Sequence, residues 1–369
     1  MRPARALKFV ALLALLITAG YLAGRYFKTS RTAATTGQRA STGREGAASP
    51  NTSASRPLSP GDLLSRIFDR LRSGNLQPGD LAALRRLLLA ADPHEAMAAI
   101  LSFLATGQDA RTGESFGIQK GGGLAGAPTF RVMLLDLLGR IARDAGTDDA
   151  AAFSRALLTR KTSADEWAIA LRNIAWSSPD ARTFLAEKMR EMLDYQPWRM
   201  QPSAGFLEAF DVIVFTRNAA FTSDLASMAG SEDDSLKRAA ATAMDRLSEM
   251  APLDVMNYLN GHPTEFADLP FLRADYYSKA DLSQFQQRQA VEAYLSRPDV
   301  TVAEKEKLLS VFASPGSFVG DTLVTDSAAA DDPPQRTAAL SAAVGDWLQG
   351  NRFPDLANSL AQLQRRLTE

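Results

Sequence analysis

The stretch Leu63-Leu64-Ser65-Arg66-Ile67-Phe68-Asp69-Arg70-Leu71 and its continuation Pro78-Gly79-Asp80-Leu81-Ala82-Ala83-Leu84-Arg85-Arg86-Leu87-Leu88 decide the fold. In the first run, Leu63, Leu64, Ile67, Phe68 and Leu71 fall at three- and four-residue intervals. One helix face therefore collects them, while Ser65, Arg66, Asp69 and Arg70 take the other. Pro78-Gly79-Asp80 breaks the run, and Leu81, Leu84, Leu87 and Leu88 repeat the pattern. Asp92-Pro93 then supplies a side-chain cap and a first-turn proline for a third helix carrying Met97, Ile100, Leu101 and Leu104.

The same pattern runs on to the carboxyl end. Pro128 precedes Phe130, Leu134, Leu137, Leu138 and Ile141, and Ser178-Pro179 precedes Phe184, Leu185, Met189, Met192 and Leu193. Ser163-Ala164-Asp165-Glu166 and Thr301-Val302-Ala303-Glu304 each place a hydroxyl cap three residues before a glutamate, the signature of a capping box. Alternation of the strand type is scarce, so the expected class is all-α. Many short helices on short turns suit either an irregular α-helical domain or stacked antiparallel helix pairs, in one body or two lobes.

One segment favours stacking. Asp234-Ser235-Leu236-Lys237-Arg238-Ala239-Ala240-Ala241-Thr242-Ala243-Met244 has an aliphatic residue, a basic pair, then alanines and a large apolar residue. It resembles the second helix of HEAT-like repeats, whose alanines let neighbouring helices approach closely. The resemblance implies an α-solenoid-like body. Lys237 and Met244 stand where that motif prefers Arg and Leu, and the motif brings no catalytic residues with it.

The ends differ in charge. Of 41 Lys and Arg, nine precede residue 60; of 42 Asp and Glu only Glu45 does, which leaves 32 basic and 41 acidic residues afterwards, a net of −9. An acidic body lacks the basic footprint that nucleic-acid binding requires. Cysteine is absent, which excludes disulfides, thiolate metal sites and thiol nucleophiles. No cofactor or metal is expected, because His94 and His262 lie in no ligand spacing: His94 falls in a first helical turn and His262 in a Gly-His-Pro turn.

At the amino end, Arg2, Arg5 and Lys8 precede the uncharged run from Phe9 to Gly24, and Arg25 and Lys28 close it. With Lys8 and Arg25 snorkelling, residues 6–27 are long enough to enter the bilayer as a helix spanning about 33 Å. Residues 1–28 thus read as a single-pass anchor. A cleaved signal peptide is the rival, although no Ala-x-Ala site ends the run and Tyr21, Tyr26 and Phe27 supply interfacial aromatics. Residues 29–59, made of Ser, Thr, Ala, Gly, Pro and Arg, read as a disordered linker. The design suits the inner membrane of a bacterium, with the domain at 60–369 in the periplasm.

Candidate contacts lie in and around a long break. Gly107 to Ala127 is about twenty residues, long for a connector in a compact domain, and Phe116, Ile118 and Leu124 give it something to bury. A small hairpin is expected there. Gly121-Gly122-Gly123 lacks the Gly-Lys-Ser/Thr ending and the preceding strand of a phosphate loop. Arg131 and Asp136 interrupt an apolar helix, and Asp136 has Arg140 one turn away. On the next long helix, Trp167 sits near Arg172 and Asn173, and Arg172 can stack on Trp176. The candidate interaction residues are therefore Phe116, Ile118, Arg131, Trp167, Arg172 and Asn173. A second break, 314–336, carries Phe318, Val319, Leu323 and Val324 in a half that can dock.

Three functions fit: a non-catalytic envelope scaffold binding an unidentified protein, a hydrolase with a carboxylate pair in a helical cleft, and a membrane-surface organiser acting through the basic linker. The first is favoured, because it asks only for a helical surface.

Overall fold

In a computed structural model of the chain, residues 58–178, 180–312, 320–325 and 334–368 are described. The expected anchor at 6–27, and the linker up to residue 57, lie outside them, as do Phe318 and Val319. No helix among the described residues is long and apolar enough to cross a membrane.

Among the described residues the protein is all-α apart from one small hairpin. In chain order the elements are α1 (Pro60–Arg72), α2 (Asp80–Ala90), α3 (Pro93–Ala105), β1 (Gly117–Ile118), β2 (Leu124–Gly126), α4 (Phe130–Ala145), α5 (Asp149–Leu157) and α6 (Ala164–Ser177). Next come α7 (Arg182–Leu193), α8 (Gln196–Met200), α9 (Ala204–Glu208), α10 (Phe210–Thr216), a 3-10 turn (Ala219–Phe221), α11 (Thr222–Ala229), α12 (Asp234–Met250) and α13 (Pro252–Gly261). The last are α14 (Pro270–Tyr277), α15 (Phe285–Ser296), α16 (Val302–Val311), α17 (Pro334–Gln349), a second 3-10 turn (Pro354–Leu356) and α18 (Ala357–Thr368).

The helices begin where the sequence places caps. Asp92 accepts the Glu95 amide at 3.1 Å, Ser163 that of Glu166 at 3.3 Å and Thr301 that of Glu304 at 3.2 Å. α4 ends on Gly146, whose φ of 68° is the left-handed turn that glycine adopts without a Cβ penalty. Leu64, Ile67 and Phe68 of α1 and Leu81, Leu84 and Leu88 of α2 are buried, as their spacing requires.

Ion pairs fix how the helices pack. Arg131 meets Glu166, Asp136 meets Arg172 and Gly139 lies against Asn173. The contacts advance together along α4 and α6, so these helices run parallel, with α5 as the return between them. Arg273 with Glu304, and Asp275 with Lys307, set the same relation for α14 and α16. Close approach depends on small residues: a Cβ at Gly139 would collide with the buried Asn173 side chain. In α12, Ala240 and Ala243 are buried where the helix packs against α10 and α11.

Candidate functional site

The long break between α3 and α4 folds back on the body as an antiparallel hairpin, β1 against β2, with a bulge between Gly117 and Ile118. The Gln119 amide donates to Gly123 at 2.8 Å and the Gly122 amide to Gln119 at 3.0 Å, closing the turn. Two glycines supply the left-handed conformations it needs, Gly121 at φ 83° and Gly122 at 78°. The base is pinned by the Phe130 amide donating to Ala110 at 2.9 Å.

A buried polar network holds this hairpin from below. Arg172 on α6 is 0% exposed and Asp136 on α4 is 1% exposed. Arg172 Nη1 donates to Asp136 Oδ1 at 2.6 Å and to the Gly122 carbonyl at 2.9 Å. Asp136 Oδ1 also accepts the Leu124 amide at 3.0 Å. Asn173 accepts from Arg172 Nη2 at 2.8 Å and donates to the Leu135 carbonyl at 3.1 Å. The outer face of Arg172 stacks on Trp176, 4.1 Å from the ring centroid, and Arg143 stands 4.0 Å from the same ring. A buried guanidinium is tolerated only with this degree of pairing. Asp136 and Arg172 thus join two helices to the hairpin at Gly122 of the turn and at Leu124, where β2 begins.

A second clamp sits on the hairpin's flank. Glu114 forms an ion pair with Arg85 of α2, with Nη1 to Oε1 at 2.9 Å, and accepts the Ala127 amide at 3.0 Å. Partial burial by itself would raise the Glu114 pKa; the Arg85 hydrogen bond and the Ala127 amide outweigh it, and the carboxyl titrates below its ordinary range.

The segment 320–325 reaches this region from far along the chain. Leu323 is fully buried, and a Cβ on Gly122 would meet the Leu323 carbonyl and stand 3.0 Å from the Trp176 ring. Asp211 at the start of α10 accepts the Val324 amide at 2.6 Å and the Thr325 amide at 2.9 Å, and pairs with Arg246 of α12 at 2.5 Å. The described part of the second break therefore docks against the turn of the first. Beside this clamp, burial and then the Asp211 carboxylate push the Glu208 carboxyl above its ordinary range.

The six candidate residues take different places. Phe116 and Ile118 are half-buried on the hairpin, and the Phe116 ring lies over Gly205 of α9. Arg131 joins Glu166 at 2.7 Å and donates to the Leu104 carbonyl at 2.8 Å. Trp167, Arg172 and Asn173 are 0%, 0% and 1% exposed, so they act inside the body. Trp167 Nε1 donates to the Arg160 carbonyl at 2.7 Å. Outermost on the hairpin region are Arg111, Ser115, Lys120, Gly121 and Ala125.

Sequence reasoning missed the pairing partners. Asp136 does approach Arg140, at 3.8 Å, but its short contact is to Arg172. Glu166 and Glu304 stand at capping-box positions, yet their carboxylates turn inward to Arg131 and Arg273. The signal that was available is charged residues on otherwise apolar helix faces, Arg131 and Asp136 on α4 and Glu166 and Arg172 on α6.

Two open grooves lie elsewhere. One of about 690 Å³ runs between α16 and α18, with Glu306, Arg365 and Arg366 on its walls. The other, about 400 Å³, separates α7 from the end of α10. Among the described residues no group of three or more His, Asp or Glu is placed to hold a metal ion. His94 is exposed, and His262 stacks on Tyr258 with ring centroids 4.0 Å apart. No protein-family model, curated protein or solved structure matches the chain.

Proposed function

We propose that this chain is a membrane-anchored helical scaffold of the bacterial cell envelope, whose body binds another protein and performs no catalysis. Residues 6–27 place it in the inner membrane, and the linker lets the periplasmic body reorient. The single observation that supports binding most is the fixation of the hairpin. Arg172, Asp136 and Glu114 direct their polar groups to its backbone, so a loop too long for a connector is held in one conformation. A pre-ordered loop avoids the ordering cost that weakens a flexible one on binding. Its outward residues, Ser115, Lys120, Gly121 and Ala125, are the contact surface.

The α-solenoid-like, HEAT-like reading of the body belongs to the same proposal. Parallel first and third helices with an antiparallel return, seen at α4 to α6, and the alanines of α12 support it.

The test is site-specific photo-crosslinking from Lys120 in native membranes, beside a Phe116→Ser/Ile118→Ser variant. One discrete crosslinked protein is expected, lost in the variant. The variant should also melt lower, because both side chains pack on the body. Crosslinks to lipid alone, or a crosslink pattern identical in the variant, would refute the proposal.

A further inference from the structure

The groove between α7 and α10 has the chemistry of a second site. Arg182, Ala186 and Arg190 recur at four-residue intervals on α7 and share one face. Their outer positions stand about 12 Å apart along the axis. Ala186 between them is small and only 7% exposed, which leaves a floor that a bound chain can approach. Thr216, Arg217 and Asn218 form the opposite wall where α10 ends. There Arg217 is exposed and holds a φ of 55°, a left-handed conformation that non-glycine residues rarely adopt.

The arginines are pre-oriented by rings, with no acid clamping them. The Arg182 guanidinium lies 5.6 Å from the Phe215 centroid and that of Arg190 lies 5.2 Å from Phe221. Phe215 belongs to α10 and Phe221, itself fully buried, to the 3-10 turn after it, so both side chains lean towards the α10 side of the groove. Among the described residues none of the three arginines takes part in an ion pair, whereas Arg131, Arg172, Arg246 and Arg273 all do. Their acidic neighbours are Glu187 on the lip, Asp194 one turn beyond Arg190, and Asp224, which senses Arg190 without pairing to it. On a body whose net charge is −9, three unpaired guanidinium groups around one concavity are a selective feature.

We infer that this groove binds an acidic, carboxylate-rich polypeptide segment of a partner protein. Guanidinium groups match carboxylates in bidentate geometry. An extended segment rises about 3.3 Å per residue, so carboxylates about four residues apart meet Arg182 and Arg190 together. Arg217 takes a third from the other wall. An anionic bilayer fits less well, because a concave groove suits a chain better than a flat surface does. The inference stands apart from the hairpin, so either can fail alone.

The experiment is fluorescence anisotropy of a labelled Glu-rich peptide, with its Gln counterpart as control, against the full chain in neutral detergent micelles. The Glu peptide should bind and the Gln peptide should not, with affinity falling steeply as salt rises. Arg182→Gln/Arg190→Gln should weaken binding at least about tenfold, since each charge-assisted pair is a tenfold effect or more. Arg182→Lys/Arg190→Lys should recover part of it. Arg217→Gly relieves the backbone conformation and leaves both stacked arginines in place, so it carries the same test should the double variant fail to fold. Unchanged affinity in a folded variant overturns the inference. So does binding of short-chain phosphatidylglycerol, but not of the peptide, through the same arginines.

Discussion

Replacing Asp136 with Ala strikes the centre of the hairpin lock. The carboxylate is the close counter-charge of Arg172, 2.6 Å away and fully buried, and it also accepts the Leu124 amide. Breaking a buried pair by removing one partner costs about 3–5 kcal/mol, because the remaining charge stays buried without compensation. The orphaned Leu124 amide alone represents about 1–3 kcal/mol. These costs share one network and do not add, so a net loss of about 4 kcal/mol is the working figure. At roughly 2 °C per kcal/mol for a body of this size, melting should fall by about 8 °C. Asp136→Leu/Arg172→Met removes both charges and should recover at least half of the loss. The assay is urea and thermal unfolding of the full chain in detergent, followed by circular dichroism. A loss below about 1 kcal/mol for Asp136→Ala, or a double variant no better than the single, would refute the claim that this pair carries the packing of α4 on α6.

Three further outcomes follow from the same geometry. The folded Glu114 carboxyl titrates below the ordinary value of 4.5, so its contribution is complete above that value and disappears as pH falls through the lowered folded pKa; proteolysis of the hairpin should accelerate over that acid range, and Glu114→Gln should abolish the pH dependence. Gly122→Ala forces a Cβ onto a φ of 78° and against the Leu323 carbonyl, a cost of about 2–4 kcal/mol in urea unfolding; a change under about 0.5 kcal/mol would show that the two breaks do not touch as described. The full chain should stay with membranes after alkaline extraction, and removal of residues 1–28 should release the body; an intact chain found wholly in the soluble fraction would eliminate the anchor.

What could be read from the sequence was whatever depends on local spacing. The stripes of α1 and α2, the caps at Asp92, Ser163 and Thr301, and the Arg172–Trp176 stack are all encoded within one or two helical turns. The hairpin was legible too, because glycines flank its few apolar residues. The partner of Asp136 was not: Arg140 is a neighbour along the helix, whereas Arg172 comes close only when α4 and α6 lie parallel. Glu166 illustrates the same limit. Its place three residues after Ser163 predicts a side chain reaching back to the cap, but the Arg131 guanidinium at 2.7 Å offers a stronger, less solvated partner. The docking of Leu323 against Gly122 joins residues separated by most of the body, and no local pattern announces it.

Hydrogen exchange at the Leu124 amide tests the central claim most directly, because that proton lies between the hairpin and the buried Asp136 carboxylate. If the hairpin is a fixed ridge, this amide exchanges as slowly as the interior amides of α4 and α6, and it becomes fast in Asp136→Leu/Arg172→Met even where global stability is restored. Exchange within seconds in the unaltered chain, at the rate of an unstructured loop, would contradict the account.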